Sequence, residues 1–216
     1  MKINNALIML VILICLVCNA LGQDTGAAAT VNVNITNDYG YADGFGGSLN
    51  WYIQVSELKK VVYLGEFEIF SQKKLYADSG TGKNLLNKGR VYISDIIFVE
   101  GGVRNGWYTT DQYAKGSTYL KFGGGVVLDR KHYVYYNYGI DIHKYTDDGT
   151  NYLSNKGRAH AVYYDGFLSI NKKVYGLLRI NYTRGCNEQP PNYPNSNLGR
   201  FCGNFYNFGF GVGVKK

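Results

Sequence analysis

Proline is nearly missing from this chain: there are three, all between residues 190 and 194. No low-complexity tract or shift of composition marks a linker or a second domain. Helical spacing is missing as well. Nowhere in the body of the chain do apolar residues recur every three or four positions, which excludes an α-rich fold. The one long apolar run is Ala6 to Val17, and its twelve residues are too few to cross a bilayer as a helix. There is no GxSxG elbow, no locally spaced Ser-His-Asp set and no CxxC pair, so the usual signatures of a hydrolase or a redox centre are absent. Negative charge is in short supply: 23 Lys and Arg stand against 16 Asp and Glu, a formal +7.

What is present begins with an export signal. Lys2, the apolar run Ala6–Val17 and the small residues Ala20 and Gly22 read as a secretory signal peptide covering residues 1–22, cleaved before Gln23. Val17 before Cys18 disfavours a lipoprotein. Cleavage removes Lys2, Cys15 and Cys18, which lowers the formal charge to +6 and leaves Cys186 and Cys202. In an oxidising compartment these two form one disulfide, closing a Pro- and Asn-rich loop at a gain of about 3 kcal/mol. Asn34-Ile-Thr36 and Asn181-Tyr-Thr183 are N-glycosylation sequons, the second inside a predicted strand.

From residue 30 onward the period is two. Strands are predicted at 30–36, 45–54, 60–70, 90–99, 118–128, 132–144, 158–170, 172–182 and 205–214. The segment Arg90–Val99 is apolar on nearly both faces and reads as a central strand. Asp129-Arg130-Lys131 and Asn171-Lys172 are short enough for hairpin turns, giving an antiparallel meander in the C-terminal half. Residues 23–216 thus form a single all-β domain, an antiparallel sandwich or closed barrel of eight or nine strands. Glycine and tyrosine are abundant, with 28 and 21 residues, and Tyr suits a half-buried strand.

One apolar and one polar face are what either water or lipid would select. In water the apolar face turns inward; in an outer-membrane barrel it turns outward. An uncertain strand number, apparently long early loops at 71–89 and 100–117, and the Lys215-Lys216 ending without a terminal aromatic favour the soluble form.

Chemistry is scarce. His132, His143 and His160 do not converge, so no metal or other cofactor is expected. Ser79–Asn84 lacks the full phosphate-loop spacing, and Glu66 with Glu68 is the polar face of an amphipathic strand. Lys59, Lys60, Lys73, Lys74, Lys131, Lys172 and Lys173 are scattered over turns without a dense block, and nucleic acid is not expected as a partner. One grouping stands out. Tyr119, Tyr133, Tyr135, Tyr163 and Tyr175 fall opposite the apolar face on neighbouring strands, together with Lys121, Asn137, Asp141, Asp165 and Arg179. On an outer sheet surface such rings would stack on sugars or adhere to a polymer or mineral. The expectation is therefore a secreted, extracellular, non-enzymatic matrix or polymer-binding glycoprotein. An eight-stranded outer-membrane barrel and a secreted β-fold pore-former are the alternatives, and only the barrel would take the membrane as partner.

Overall fold

The computed structural model describes residues 25–36, 44–55, 60–72, 80–109, 114–146, 151–152, 157–187 and 201–215. The leader and its cleavage site lie outside the described residues. Ten strands of 11 to 15 residues make up the fold: β1 (Thr25–Thr36), β2 (Gly44–Gln54), β3 (Val61–Gln72), β4 (Gly80–Tyr92), β5 (Ile97–Thr109), β6 (Ala114–Leu128), β7 (His132–Thr146), β9 (Arg158–Ser169), β10 (Val174–Asn187) and β11 (Phe201–Lys215). A two-residue strand, β8 (Asn151–Tyr152), pairs antiparallel with the end of β7. Each of the ten pairs antiparallel with its neighbour, and β1 pairs with β11 from Gly26↔Lys215 to Thr36↔Phe205. The sheet is thereby closed, and the all-β antiparallel expectation resolves into a ten-stranded barrel without free edges.

The strand missed in the sequence is β4. The glycines and polar residues of Gly80–Tyr92 resemble a loop, yet Asn84, Leu86, Lys88 and Arg90 point inward and Leu85 and Val91 outward. The segment read as one central strand, Arg90–Val99, is the end of β4, a turn and the start of β5. Ser94 makes the turn, its hydroxyl accepting the Ile96 and Ile97 amides at 3.3 and 3.1 Å. The hairpin at Asp129-Arg130 has positive φ at both residues, 51° and 55°, the type I′ geometry whose twist matches the strands it joins. Asn171 caps the β9–β10 turn, its side-chain oxygen accepting the Lys173 and Val174 amides at 2.8 Å.

Closure sorts the connections. The end of β2, the start of β3, and residues 93–96, 129–131 and 170–173 lie on the rim that also carries the start of β1 and the end of β11. The opposite rim carries the end of β1 and the start of β2, and likewise the facing ends of β3 and β4, β5 and β6, β7 and β9, and β10 and β11. The apparently long early loops contain β4 and β5. Once these are in place, the sequence spacing between strands alternates short and long along the chain, with 110–113 the one short spacing among the long ones.

Parity assigns every side chain to the wall's outside or inside. Val31, Val33, Phe122, Val162, Leu168 and Phe210 point outward and are exposed, Leu168 by 72% and Phe210 by 64%. Thr30, Asn32, Glu68, Glu100, Asn137 and Asp165 point inward and are buried. The barrel is therefore apolar outside and polar inside, the reverse of the soluble arrangement expected from the sequence. The apolar packing that remains inside collects towards the short-turn end. Phe98 and Val127 pack with Tyr92, Tyr133 and Tyr135, while Ala28, Tyr175 and Leu177 pack with Phe167.

Candidate functional site in the barrel interior

Setting aside Lys215 at the rim, the inward strand positions hold five acids and five bases among the described residues: Glu66, Glu68, Glu100, Asp141 and Asp165 with Lys88, Arg90, Arg104, Lys121 and Arg179. The formal charge of this set is zero, so the surplus of positive charge lies elsewhere on the chain.

Three groups of contacts tie the walls together. Glu100 on β5 takes Lys88 Nζ at 2.6 Å, Arg90 Nη2 at 2.7 Å and the Asn137 amide of β7 at 2.8 Å. Arg90 lies 3.9 Å over the Phe98 ring, and Lys88 lies 4.7 Å over the Tyr135 ring, so both cations rest on aromatic faces. Arg179 on β10 reaches across the barrel. Its Nε is 2.7 Å from Asp165 on the neighbouring strand, and its Nη1 is 2.9 Å from both Glu66 on β3 and Asn50 on β2. Glu68 accepts from Asn84 at 2.9 Å, from Asn32 at 3.3 Å and, more weakly, from Arg104 at 3.4 Å. Thr30 and Ser48 share a 2.6 Å hydrogen bond beside this group. Such buried charges are stable only when paired and hydrogen-bonded.

The tyrosine row runs through the same interior. Tyr135 and Tyr163 stack with centroids 4.7 Å apart; Tyr135 donates to Asp165 at 2.9 Å, and Lys121 donates to Tyr163 at 2.9 Å. Tyr133 and Tyr175 flank Phe167 with centroid distances of 5.5 and 5.4 Å. Tyr119 lines the cavity higher up. The sequence correctly places these five rings and their polar companions on one face. That face, however, is the inside of a closed barrel, where the rings cannot lie flat on a polysaccharide, mineral or other matrix surface. The expected matrix-binding array is therefore corrected to an internal lining.

A cavity of about 740 Å³ lies within the barrel. Tyr52, Tyr133, Phe167 and Tyr175 bound it towards the short turns, and Asn34, Asn207, Phe205 and Ser117 line it near the longer loops. Phe98, 1% exposed, packs against the Tyr133 and Tyr135 rings beside this floor and does not itself line the cavity. Two glycines allow the floor to close. A Cβ on Gly213 would lie 2.3 Å from the Tyr175 ring, and one on Gly26 would lie 2.1 Å from the Tyr52 ring.

The other candidates fall elsewhere. His132 and His160 point outward, hydrogen-bonded to Tyr164 at 2.8 Å and to Tyr136 at 2.6 Å; the His143 side chain lies outside the described residues. No group of three metal-ligating side chains occurs among the described residues. Glu66 and Glu68 are engaged with Arg179 and Arg104. Cys186 and Cys202 face each other in register and are joined by a disulfide across β10 and β11, at the longer-loop end. Asn34 and Asn181 point into the interior and line the cavity, bonded to Asn207 and Thr183. An inward side chain in a closed wall offers no room for a glycan, which corrects the glycoprotein expectation. Sequence reasoning missed Lys88, Arg90, Glu100 and Arg104 because it missed β4 and the turn at Ser94. The signal that would find them is the polar spacing of Lys88 and Arg90 on either side of Gly89.

An apolar outer wall around a charge-balanced polar interior defines a membrane-spanning β-barrel: lipid satisfies the outside, and closure satisfies every backbone group. No described helix is long and apolar enough to cross a membrane. The chain is similar in structure to the translocator domain of the autotransporter NalP from Neisseria meningitidis (12% identity, 89% of this chain and 88% of that one, TM-score 0.48). It is also similar to Neisserial surface protein A (11% identity, 90% and 97% covered, TM-score 0.41) and to an outer membrane channel from Pseudomonas putida F1 (8% identity, 90% and 96% covered, TM-score 0.48). No protein-family model matches the chain, and no curated protein matches it in sequence. Membrane residence follows from the wall itself rather than from these likenesses. The inside-out wall replaces the secreted matrix protein with the membrane barrel that was the alternative.

Proposed function

We propose that this chain is an integral outer-membrane β-barrel whose interior is a vestibule with a closed floor, suited to binding or anchoring at the longer-loop face rather than to open diffusion. The observation that carries this reading is the aromatic floor. Tyr52, Tyr133, Phe167 and Tyr175 bound the cavity on one side only, and beside Tyr133 the Phe98 ring is sealed under Arg90. Ions entering from the longer loops would meet paired charges and then a dry aromatic layer. Among the described residues Glu66, Glu68, Glu100 and Asp165 are each held in an ion pair, which supports extending the reading to a non-enzymatic role.

Reconstitution into planar bilayers tests it. The wild-type barrel gives no steady ion conductance, and Phe98→Ala combined with Tyr133→Ala and Tyr175→Ala creates one. Steady conductance by the wild type would replace the vestibule with a pore. A chain that stays soluble without detergent and runs at one position on a gel whether or not it is heated would remove the membrane reading altogether.

A further inference from the structure

We propose that the short-turn rim binds anionic phospholipid, with phosphatidylglycerol as the headgroup class it takes. This rests on the membrane reading above and adds a partner to it. Lys60, Arg130, Lys131, Lys172, Lys173 and Lys215 are all exposed on that rim, and only Asp95 and Asp129 oppose them among the described residues. None of the six makes an ion pair with another described residue.

Five of the six form one arc. The β6–β7 turn, the β9–β10 turn and the end of β11 follow each other around the ring, carrying Arg130, Lys131, Lys172, Lys173 and Lys215. The wall holds them in place: the Lys173 carbonyl accepts the Lys215 amide at 2.9 Å, and the Lys131 carbonyl accepts the Phe167 amide at 2.8 Å. The same arc carries outward Leu128, Leu168, Ile170 and Val214, between 42% and 72% exposed. Cations beside an exposed apolar wall match an amphiphile, with phosphate at the charges and acyl chains on the wall. A soluble polyanion would use the charges and leave the apolar positions unmatched. Lys and Arg on a rim near a headgroup layer attract anionic lipid by about 1 kcal/mol each, roughly a five-fold enrichment for a lipid that meets one of them.

The chain's two tryptophans report on the two ends. Trp51 lies in register with Ala27 and Val214, one residue from Lys215 on that ladder. Trp107 lies beside Lys83, two residues from the end of β5 at the longer-loop rim. The experiment uses the full barrel in phosphatidylcholine vesicles, with dibrominated phosphatidylglycerol or dibrominated phosphatidylcholine as quencher. Trp107→Phe isolates Trp51, and Trp107 is read by difference from the wild type. At Trp51 the brominated phosphatidylglycerol is preferred about five-fold. Raising salt weakens the preference. Lys172→Gln, Lys173→Gln and Lys215→Gln together bring it to about one while leaving Trp107 unchanged.

No preference at Trp51, or a preference that survives the triple substitution, overturns the rim site while leaving the barrel in the membrane. A triple variant that lowers both tryptophan signals alike also overturns it, because the effect would then be one of net charge. If brominated phosphatidylcholine quenches neither tryptophan, the chain is not in the bilayer, and the membrane reading falls together with the rim site.

Discussion

Glu100→Gln is the sharpest test of the interior network. The carboxylate accepts from Lys88 Nζ at 2.6 Å, Arg90 Nη2 at 2.7 Å, Arg90 Nε at 2.9 Å and Asn137 Nδ2 at 2.8 Å. Its side chain is 0% exposed, and those of Lys88 and Arg90 are 11% and 7% exposed. Glutamine keeps the shape but removes the charge, and it turns one acceptor into a donor that faces other donors. Two buried cations are then left beside each other without an anion. Removing one partner of a buried pair costs about 3–5 kcal/mol. The adjoining cavity admits some water to Lys88, so the lower end, roughly 3 kcal/mol, is the expected loss. The stacking of Arg90 on Phe98 is unchanged by the substitution and offsets nothing. Pairing it with Lys88→Met removes the second orphan charge and recovers about half of the loss. Urea unfolding in lipid vesicles, followed by tryptophan fluorescence and gel mobility, measures both. A loss under 1 kcal/mol for Glu100→Gln, or no recovery in the double variant, would show that the interior is wet enough to screen these charges and refute the buried-network account.

Three further outcomes follow from the same geometry. Gly213→Val drives a side chain into the Tyr175 ring, 2.3 Å from its Cζ; it lowers stability by about 1–3 kcal/mol, and Tyr175→Ala in the same chain restores part of it in an unfolding titration. Phe210→Arg places a guanidinium on the outward wall, where Phe210 is 64% exposed; unfolding from lipid shows a loss of about 2–4 kcal/mol, whereas unchanged stability would argue against a lipid-facing wall. Reduction of Cys186–Cys202, 16 residues apart in sequence, lowers the unfolding free energy by up to about 3 kcal/mol, measured as a shift of the urea midpoint with and without reductant.

The alternation along the strands was legible, and so was the face to which each residue belongs. Tyr133, Tyr135 and Tyr163 do share a side with Lys121, Asn137 and Asp165, because side-chain parity is a property of the backbone alone. The hairpin at Asp129-Arg130 was legible for the same local reason. The strand Gly80–Tyr92 was not: its three glycines and scattered Lys and Asn weaken the apolar alternation, and its pairing with β3 and β5 comes from the closed sheet. The turn at Ser94 was hidden by the opposite problem. The isoleucines at 93, 96 and 97 read as strand, yet all three are exposed around the turn.

Which face is inside could not be read from alternation, since lipid and a protein core select the same residues. What breaks the symmetry is the chemistry of the polar face. A face turned to water tolerates lone charges. A face enclosed in a ten-stranded barrel must pair nearly all of them, and long-range pairing is what occurs here: Arg179 reaches Glu66 over 113 positions of sequence, and Asn137 reaches Glu100 over 37. Below the rims, the equal tally of inward acids and bases, in a chain with a formal +7, has the same origin. Surplus cations are left to the rims, where water and headgroups can solvate them. Charge is thus sorted by radius and by height in the wall, neutral within and basic at the short turns. A sandwich with a solvated polar face would have no reason to impose either separation.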